Sequence, residues 1–249
     1  MPLTKSISQF IDNTLVDLGR QFRWSYLPPL MIYVAAGISG LTGIVGVFFI
    51  KDYLNLSAAF LAGLGFWAGI PWALKMPLGH LVDLIWSRKN YLVFVGAGII
   101  ALSVIIMYGL IIHTETMASI LKVETWFIVS ALLAPVGYVT QDVVADAMTV
   151  EAVPSTDDQG NKYPAQQVKT MHTTMQTLGR FAIIGGFVLV ALVNVVMFAG
   201  VSALSEPEKI EIYGRIYLYA LIIPIVSVSG VFLAMYLKRQ RLEKLKKSG

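Results

Sequence analysis

Six long apolar blocks dominate this chain and leave it few ways to fold. They run over about 27–50, 57–82, 91–113, 126–149, 175–203 and 214–237. A helix rises 1.5 Å per residue, so about 20 apolar residues cross a hydrocarbon core of about 30 Å. Barrel strands alternate polar and apolar over about ten residues, and these blocks are too long and too uniform for that. Composition agrees: only 14% of the 249 residues are charged, where a soluble domain carries about 25%. The expectation is an all-α membrane protein with six transmembrane helices in a lipid bilayer.

The placement of Lys and Arg sets the direction. Thirteen of the nineteen fall on one side, in the N-terminal segment (Lys5, Arg20, Arg23), the 83–90 loop (Arg88, Lys89), the 150–174 loop (Lys162, Lys169) and the tail. Lys51, Lys122, Lys209 and Arg215 fall on the other. Both termini are therefore expected in the cytoplasm. Residues 1–26 lack a continuous apolar core and read as a cytosolic amphipathic lead-in, with Ile7, Phe10, Ile11, Leu15 and Leu18 at helical spacing. Residues 27–237 make the transmembrane bundle. The segment "KRQRLEKLKKSG", 238–249, reads as a basic tail facing anionic lipid, with no nucleic-acid role.

Several chemistries are excluded or unsupported. The chain has no cysteine, and His80, His113 and His172 match no zinc spacing. No nucleophile–base pair or metal constellation stands out, so neither an enzyme nor a cofactor is expected. Segment 154–172, "PSTDDQGNKYPAQQVKTMH", is the longest polar stretch and reads as the connection from the fourth span to the fifth.

The informative residues are charges inside the apolar blocks. In "QDVVADAMTVEAV", Asp142 and Asp146 are four apart and share a helix face, while Glu151 is turned about 180° from Asp142 and sits near the interface. Asp142 falls roughly 12 Å and Asp146 roughly 6 Å from a cytoplasmic end near residue 150. Arg180, about 8 Å into the fifth span, and Lys75 in "PWALKMPLGH" have similar depth. Ionic residues in membrane helices face the bundle interior and pair with one another. Arg180 and Lys75 are thus the expected partners of the two aspartates. Such a cluster is either a static latch or a proton-coupled network, with Asp142 as the candidate proton carrier.

Other features are weaker. Gly37, Gly40, Gly43 and Gly46 with Ser39 read as a packing ridge. Pro71 and Pro77 interrupt the second span, which often marks a bent, cavity-lining helix. Phe66, Trp67 and Trp72 read as lipid-facing or interfacial aromatics, and Asn194 as a helix–helix hydrogen bond.

The stretch "PLGHLVDLIWSRKNY" resembles the signature loop between the second and third helices of major facilitator transporters. Gly79, Asp83, Arg88 and Lys89 fall on its glycine, acid and basic pair, although that pair stands one residue further from the acid and no basic residue follows Asp83. Within that superfamily, "FFIKDYLNLS", "PWALKMPLGHLVD", "SRKNY" and "DVVADAMTVE" are similar to the folate–biopterin transporter branch. The resemblance implies a major facilitator half-bundle (3+3), secondary active transport and a multi-pass place in the cell's inner (cytoplasmic) membrane. It puts Lys75, Asp83, Asp142, Asp146 and Glu151 on the family's motif positions; Arg180 comes from depth alone.

The expected function is half of a proton-coupled transporter for a small organic anion of the pterin or folate kind. A family member has two such halves, so the expected partner is a second six-helix half, a homodimer mate or a larger membrane complex. The alternative is a non-transporting structural or assembly subunit that retains the half-fold.

Overall fold

The computed structural model describes residues 17–43, 45–46, 56–157 and 159–248. The lead-in up to residue 16, Lys51 and most of "FFIKDYLNLS" lie outside them. Among the described residues the protein is helical, with one isolated bridge pair, Thr156 and Lys162, and no strand.

Helix α1, Leu27–Gly37, starts on Pro28 and Pro29, which suit a first helical turn, and continues as a 3-10 stretch, Ile38–Thr42. The rest of the first apolar block extends into residues outside the described set. The second block forms two helices, α2 (Ala58–Ala73) and α3 (Lys75–Leu84), broken at Leu74. Pro77 has no N–H for the Ala73 carbonyl, and its ring crowds that group, which favours a break at this point, whereas Pro71 lies inside α2 and Pro135 inside α6 without one. Helix α4 spans Asn90–Ile112, and a short α5, Thr114–Ile120, leads into α6, Val123–Ala152. Helix α7 covers Ala165–Met197. The last apolar block lies in α8 (Glu206–Ala220) and α9 (Ile222–Ser248), which meet at Leu221 just before Pro224.

Among the described residues, five stretches are long and apolar enough to cross a membrane: Ala58–Leu84, Asn90–Ile112, Val123–Ala152, Ala165–Met197 and Glu206–Glu243. The protein is therefore a multi-pass membrane protein. One boundary differs clearly from expectation. Residues 165–172 are the first turns of α7, which begins ten residues before the expected span, so the connection reduces to 153–164. The residues "AQQVKTMH" are polar but good helix formers, and polarity does not oppose a helix that projects into water.

Small residues bring the helix backbones together. Helices α4 and α6 touch at Gly96 and Gly137, where a Cβ on either would fall 2.8 Å from the other's carbonyl oxygen. Two turns away, the Ser103 and Ser130 hydroxyls each donate to the other's backbone carbonyl at 2.9 Å. Gln141, fully enclosed, donates to the Val93 carbonyl at 3.1 Å and to Ser227 of α9 at 2.9 Å. Helix α1 presses against α7 at Gly37, where a Cβ on Gly186 would sit 2.7 Å from the Gly37 Cα. A Cβ on Gly40 would meet Val190 at 3.8 Å and one on Gly46 the Tyr217 hydroxyl at 3.9 Å, ordinary contacts, while Gly43 has nothing within 4 Å, so the backbone-to-backbone approach of the expected ridge is at Gly37. Asn194 is buried, yet its amide oxygen has no hydrogen-bond partner among the described residues, so that atom does not make the expected interhelical bond.

Helix α2 stands apart from this close packing. None of the most apolar window of Ala58–Leu84 is buried, and Phe66, Trp67 and Trp72 face outward. The outward side of α7, with Ile184, Phe187, Val188 and Leu192, is equally open.

Candidate functional site

The break at Leu74 makes Lys75 the first residue of α3 and turns it toward α6. There its ammonium meets both carboxylates of the shared helix face, Asp142 at 2.5 Å and Asp146 at 2.9 Å. A third element closes the group: Tyr33 of α1 donates its hydroxyl to the other oxygen of Asp146 at 2.6 Å. The Tyr33 ring in turn covers Gly179 of α7, where a Cβ would fall 2.8 Å from a ring carbon. The network therefore ties α1, α3 and α6 together directly and rests against α7.

Exposure grades the group from inside to outside. The Asp142 side chain is 9% exposed, Lys75 38% and Asp146 49%. The open side borders a groove of about 390 Å³ between α3 and α6, with Gly79, Asp83, Trp86 and Val150 also on its walls. One cation with two carboxylate acceptors, one dry and one wet, can redistribute its hydrogen bonds without losing them all.

A second ion pair lies further along α6. Lys89 reaches Glu151 at 2.6 Å and also donates to the Trp86 carbonyl at 3.3 Å. Its ammonium stands 4.0 Å from the centre of the Trp86 ring, a cation–π contact. The Lys89 side chain is only 4% exposed. The neighbouring basic residue, Arg88, is exposed, as is Asp83, and neither makes an ion pair among the described residues. The basic pair of the signature stretch is thus divided between one buried and one outward cation.

The chain just before α1 covers the same end of the bundle. Ser25 donates to the Ala152 carbonyl at the C-terminus of α6 at 2.7 Å, and Thr174 of α7 donates to Gln21 at 2.7 Å. Arg23 lies 5.5 Å from the centre of the Tyr163 ring in the 153–164 connection. That connection is held by Asp157, whose carboxylate accepts from the Gln159 and Asn161 amides at 2.9 and 2.8 Å. Burial works against the charged form, but the Asn161 amide and side chain with the Gln159 and Gly160 amides prevail and hold this carboxyl below its usual range.

Arg180 is the departure from the sequence-based expectation. It is exposed and makes no ion pair with either aspartate; among the described residues both aspartates pair with Lys75. Matching depth did not supply matching direction: successive residues differ by 100° around a helix, and on α7 it is Gly179 that faces Tyr33. Sequence reasoning also missed Tyr33. Its signal is faint, a single phenol in "LPPLMIYVAAG", and a buried phenol needs a partner for its hydroxyl. The three histidines stay dispersed, and the described residues hold no cluster of His, Cys, Asp or Glu fit for a metal ion.

No family model matches the chain, and no solved structure matches it. A folate–biopterin transporter from Synechocystis sp. (strain ATCC 27184 / PCC 6803 / Kazusa) is 29% identical over 140 residues, which is 55% of this chain and 26% of that protein. The match thus spans about a quarter of that relative's length. At this distance it shows a relationship to a transporter.

Proposed function

We propose that the chain is one six-helix half of a major facilitator transporter that carries a small organic anion, of the pterin or folate kind, coupled to protons. The observation that carries this reading is the sharing of Lys75 between Asp142 and Asp146 beside an open groove. Protonation of Asp142 would leave Lys75 paired with Asp146 and still screened from hydrocarbon. Loss of that proton would draw Lys75 back and pull α3 against α6. A proton can thus move a helix contact without stranding a charge, which is what coupling requires.

In this reading the termini face the cytoplasm of an inner-membrane protein. Exposed Asp83 and Arg88 then present the signature loop to a second half, and the Lys89–Glu151 pair holds that loop to α6. The open flanks of α2 and α7 are the surfaces such a half would cover. The test is uptake in proteoliposomes containing the chain with all its partner chains. Asp142→Asn should abolish uptake while assembly stays intact. Normal uptake by that variant would remove Asp142 from the mechanism.

A second reading rests on the same open flanks: a structural or assembly subunit of a larger membrane complex, which no longer transports. The entire lack of buried residues in the apolar window of Ala58–Leu84 favours a large permanent neighbour. Purification in mild detergent separates the two. Stoichiometric partners with no ligand binding support the subunit, whereas saturable binding of a pterin supports the transporter.

A further inference from the structure

We infer that Arg180 receives the carboxylate of an anionic ligand, so that the transporter proposed above, on which this inference rests, prefers a carboxylated substrate to a neutral one. The starting point is an imbalance of charge. Lys75, Asp142 and Asp146 together sum to −1, and Lys75 already contacts both acids. An anion approaching that group meets a net negative charge and a lysine already shared between two acids. Arg180 is the balancing charge, and it is exposed, with no ion pair to any described residue.

Its position suits the role. The preceding residue, Gly179, lies under the Tyr33 ring, and Arg180 is within electrostatic reach of the Tyr33 hydroxyl, which binds Asp146. The guanidinium is therefore beside the acidic cluster without being consumed by it. It lies on an open face of α7, beside a space of about 360 Å³ bordered by Thr173, Gln176, Thr177, Phe181 and Ile184 of the same helix. Gln176 supplies a further amide on that face, the Thr173 and Thr177 hydroxyls already donate to the Lys169 and Thr173 carbonyls at 3.1 and 2.9 Å, and Phe181 and Ile184 supply apolar wall.

Energetics argue that the position has an occupant. An arginine in a membrane helix is costly unless it finds an anion or water. A guanidinium offers a planar fork that matches a carboxylate in bidentate fashion. The two ligands in the name of the Synechocystis relative differ in this respect: folate bears two carboxylates and biopterin none. Arg180 should discriminate between them.

The experiment uses the chain with whatever partners accompany it, placed in nanodiscs of neutral phosphatidylcholine, with radiolabelled folate and biopterin as probes. In Arg180→Gln, folate affinity should fall about tenfold or more, while biopterin affinity stays within about twofold. Arg180→Lys should recover part of the folate affinity, because it restores charge without the fork. Equal loss for both ligands would make Arg180 a structural residue and overturn the inference. Unchanged folate binding, with a fall in anionic phospholipid retained on native mass spectrometry or in partner co-purification, would also overturn it and assign the guanidinium to a headgroup or a protein acid. A parent protein that binds biopterin but not folate would keep the transport reading and sink this one. A parent that binds neither would sink both.

Discussion

Lys75 and Lys89 flank the same short helix, α3, and each meets a carboxylate on α6, yet they solve the problem of a buried charge differently. Lys89 is closed in: its side chain is 4% exposed, it has one acid, and the Trp86 ring and carbonyl occupy its remaining faces. Lys75 is half open, with two acids and a groove beside it. The pairs lie only about 7.5 Å apart along α6, five residues at 1.5 Å each. The difference teaches what separates a fixed tie from a movable one. A lysine with one acid and no water must lose its ion pair to move. A lysine with two acceptors of unequal exposure can shift its weight between them at small cost.

The largest stability effect should come from the closed pair. Glu151→Gln leaves the Lys89 ammonium in a dry site without its acid. Removal of one partner of a buried pair costs about 3–5 kcal/mol. Because Glu151 is 41% exposed, we expect roughly 2–3 kcal/mol, a fall of about 5–10 °C in Tm for a chain of this size. Lys89→Met should cost less, about 1 kcal/mol, since the remaining carboxylate turns to water. Equal losses for the two variants, read by thermal unfolding in detergent, would break the distinction between closed and open.

The open pair should show the reverse pattern, with a large loss of uptake and a smaller loss of stability. Lys75→Met deprives two acids of their cation, but Asp146 keeps Tyr33 and its access to water, and Asp142 can take up a proton. A cost of about 1–2 kcal/mol is expected, with uptake abolished. The Lys75→Met, Asp142→Asn double variant should regain thermal stability without regaining uptake. Should uptake return with stability, Lys75 is a tie like Lys89 and no more. Tyr33→Phe is milder: about 1 kcal/mol of stability, with uptake slowed because Asp146 then competes harder for Lys75.

How far the sequence foretold this comparison depends on which coordinate each inference needed. Depth along a span is legible, because rise per residue is fixed, and depth placed Lys75, Asp142 and Asp146 at one level. Rotation about the axis is legible only within one helix, as for the i, i+4 aspartates. Between helices it depends on packing, which for α7 is set by Gly179 against Tyr33 and Gly186 against Gly37. Neither contact can be read from composition, so depth alone pairs Arg180 with acids it does not reach. Polarity misled at 165–172 for a related reason. At 33 residues, α7 is about 50 Å long, well beyond a core of about 30 Å, so its first turns need not be apolar. Tyr33 and Trp86 stayed hidden because aromatic residues in a membrane protein usually need no partner beyond lipid.

Asp157 supplies the control that sharpens the contrast at its small end. It is an acid in the same half of the chain, but its charge is met by backbone amides and the Asn161 side chain, outside any span. Those donors hold its folded-state carboxyl below the ordinary value. A depressed value means the contribution is fully present above the unfolded range, near pH 4, and is lost as pH falls through the folded value. Amide exchange at Gln159 and Asn161 should therefore be slow, after correction for intrinsic rate, at pH 6 and faster once the pH falls below the folded-state value, and at pH 6 Asp157→Ala should leave Tm nearly unchanged. Asp157→Ala should show the faster exchange at both pH values. A Tm loss as large as that of Glu151→Gln would mean the 153–164 connection is a structural tie in its own right. Stability at this end of the bundle would then not be a matter of closed ion pairs alone.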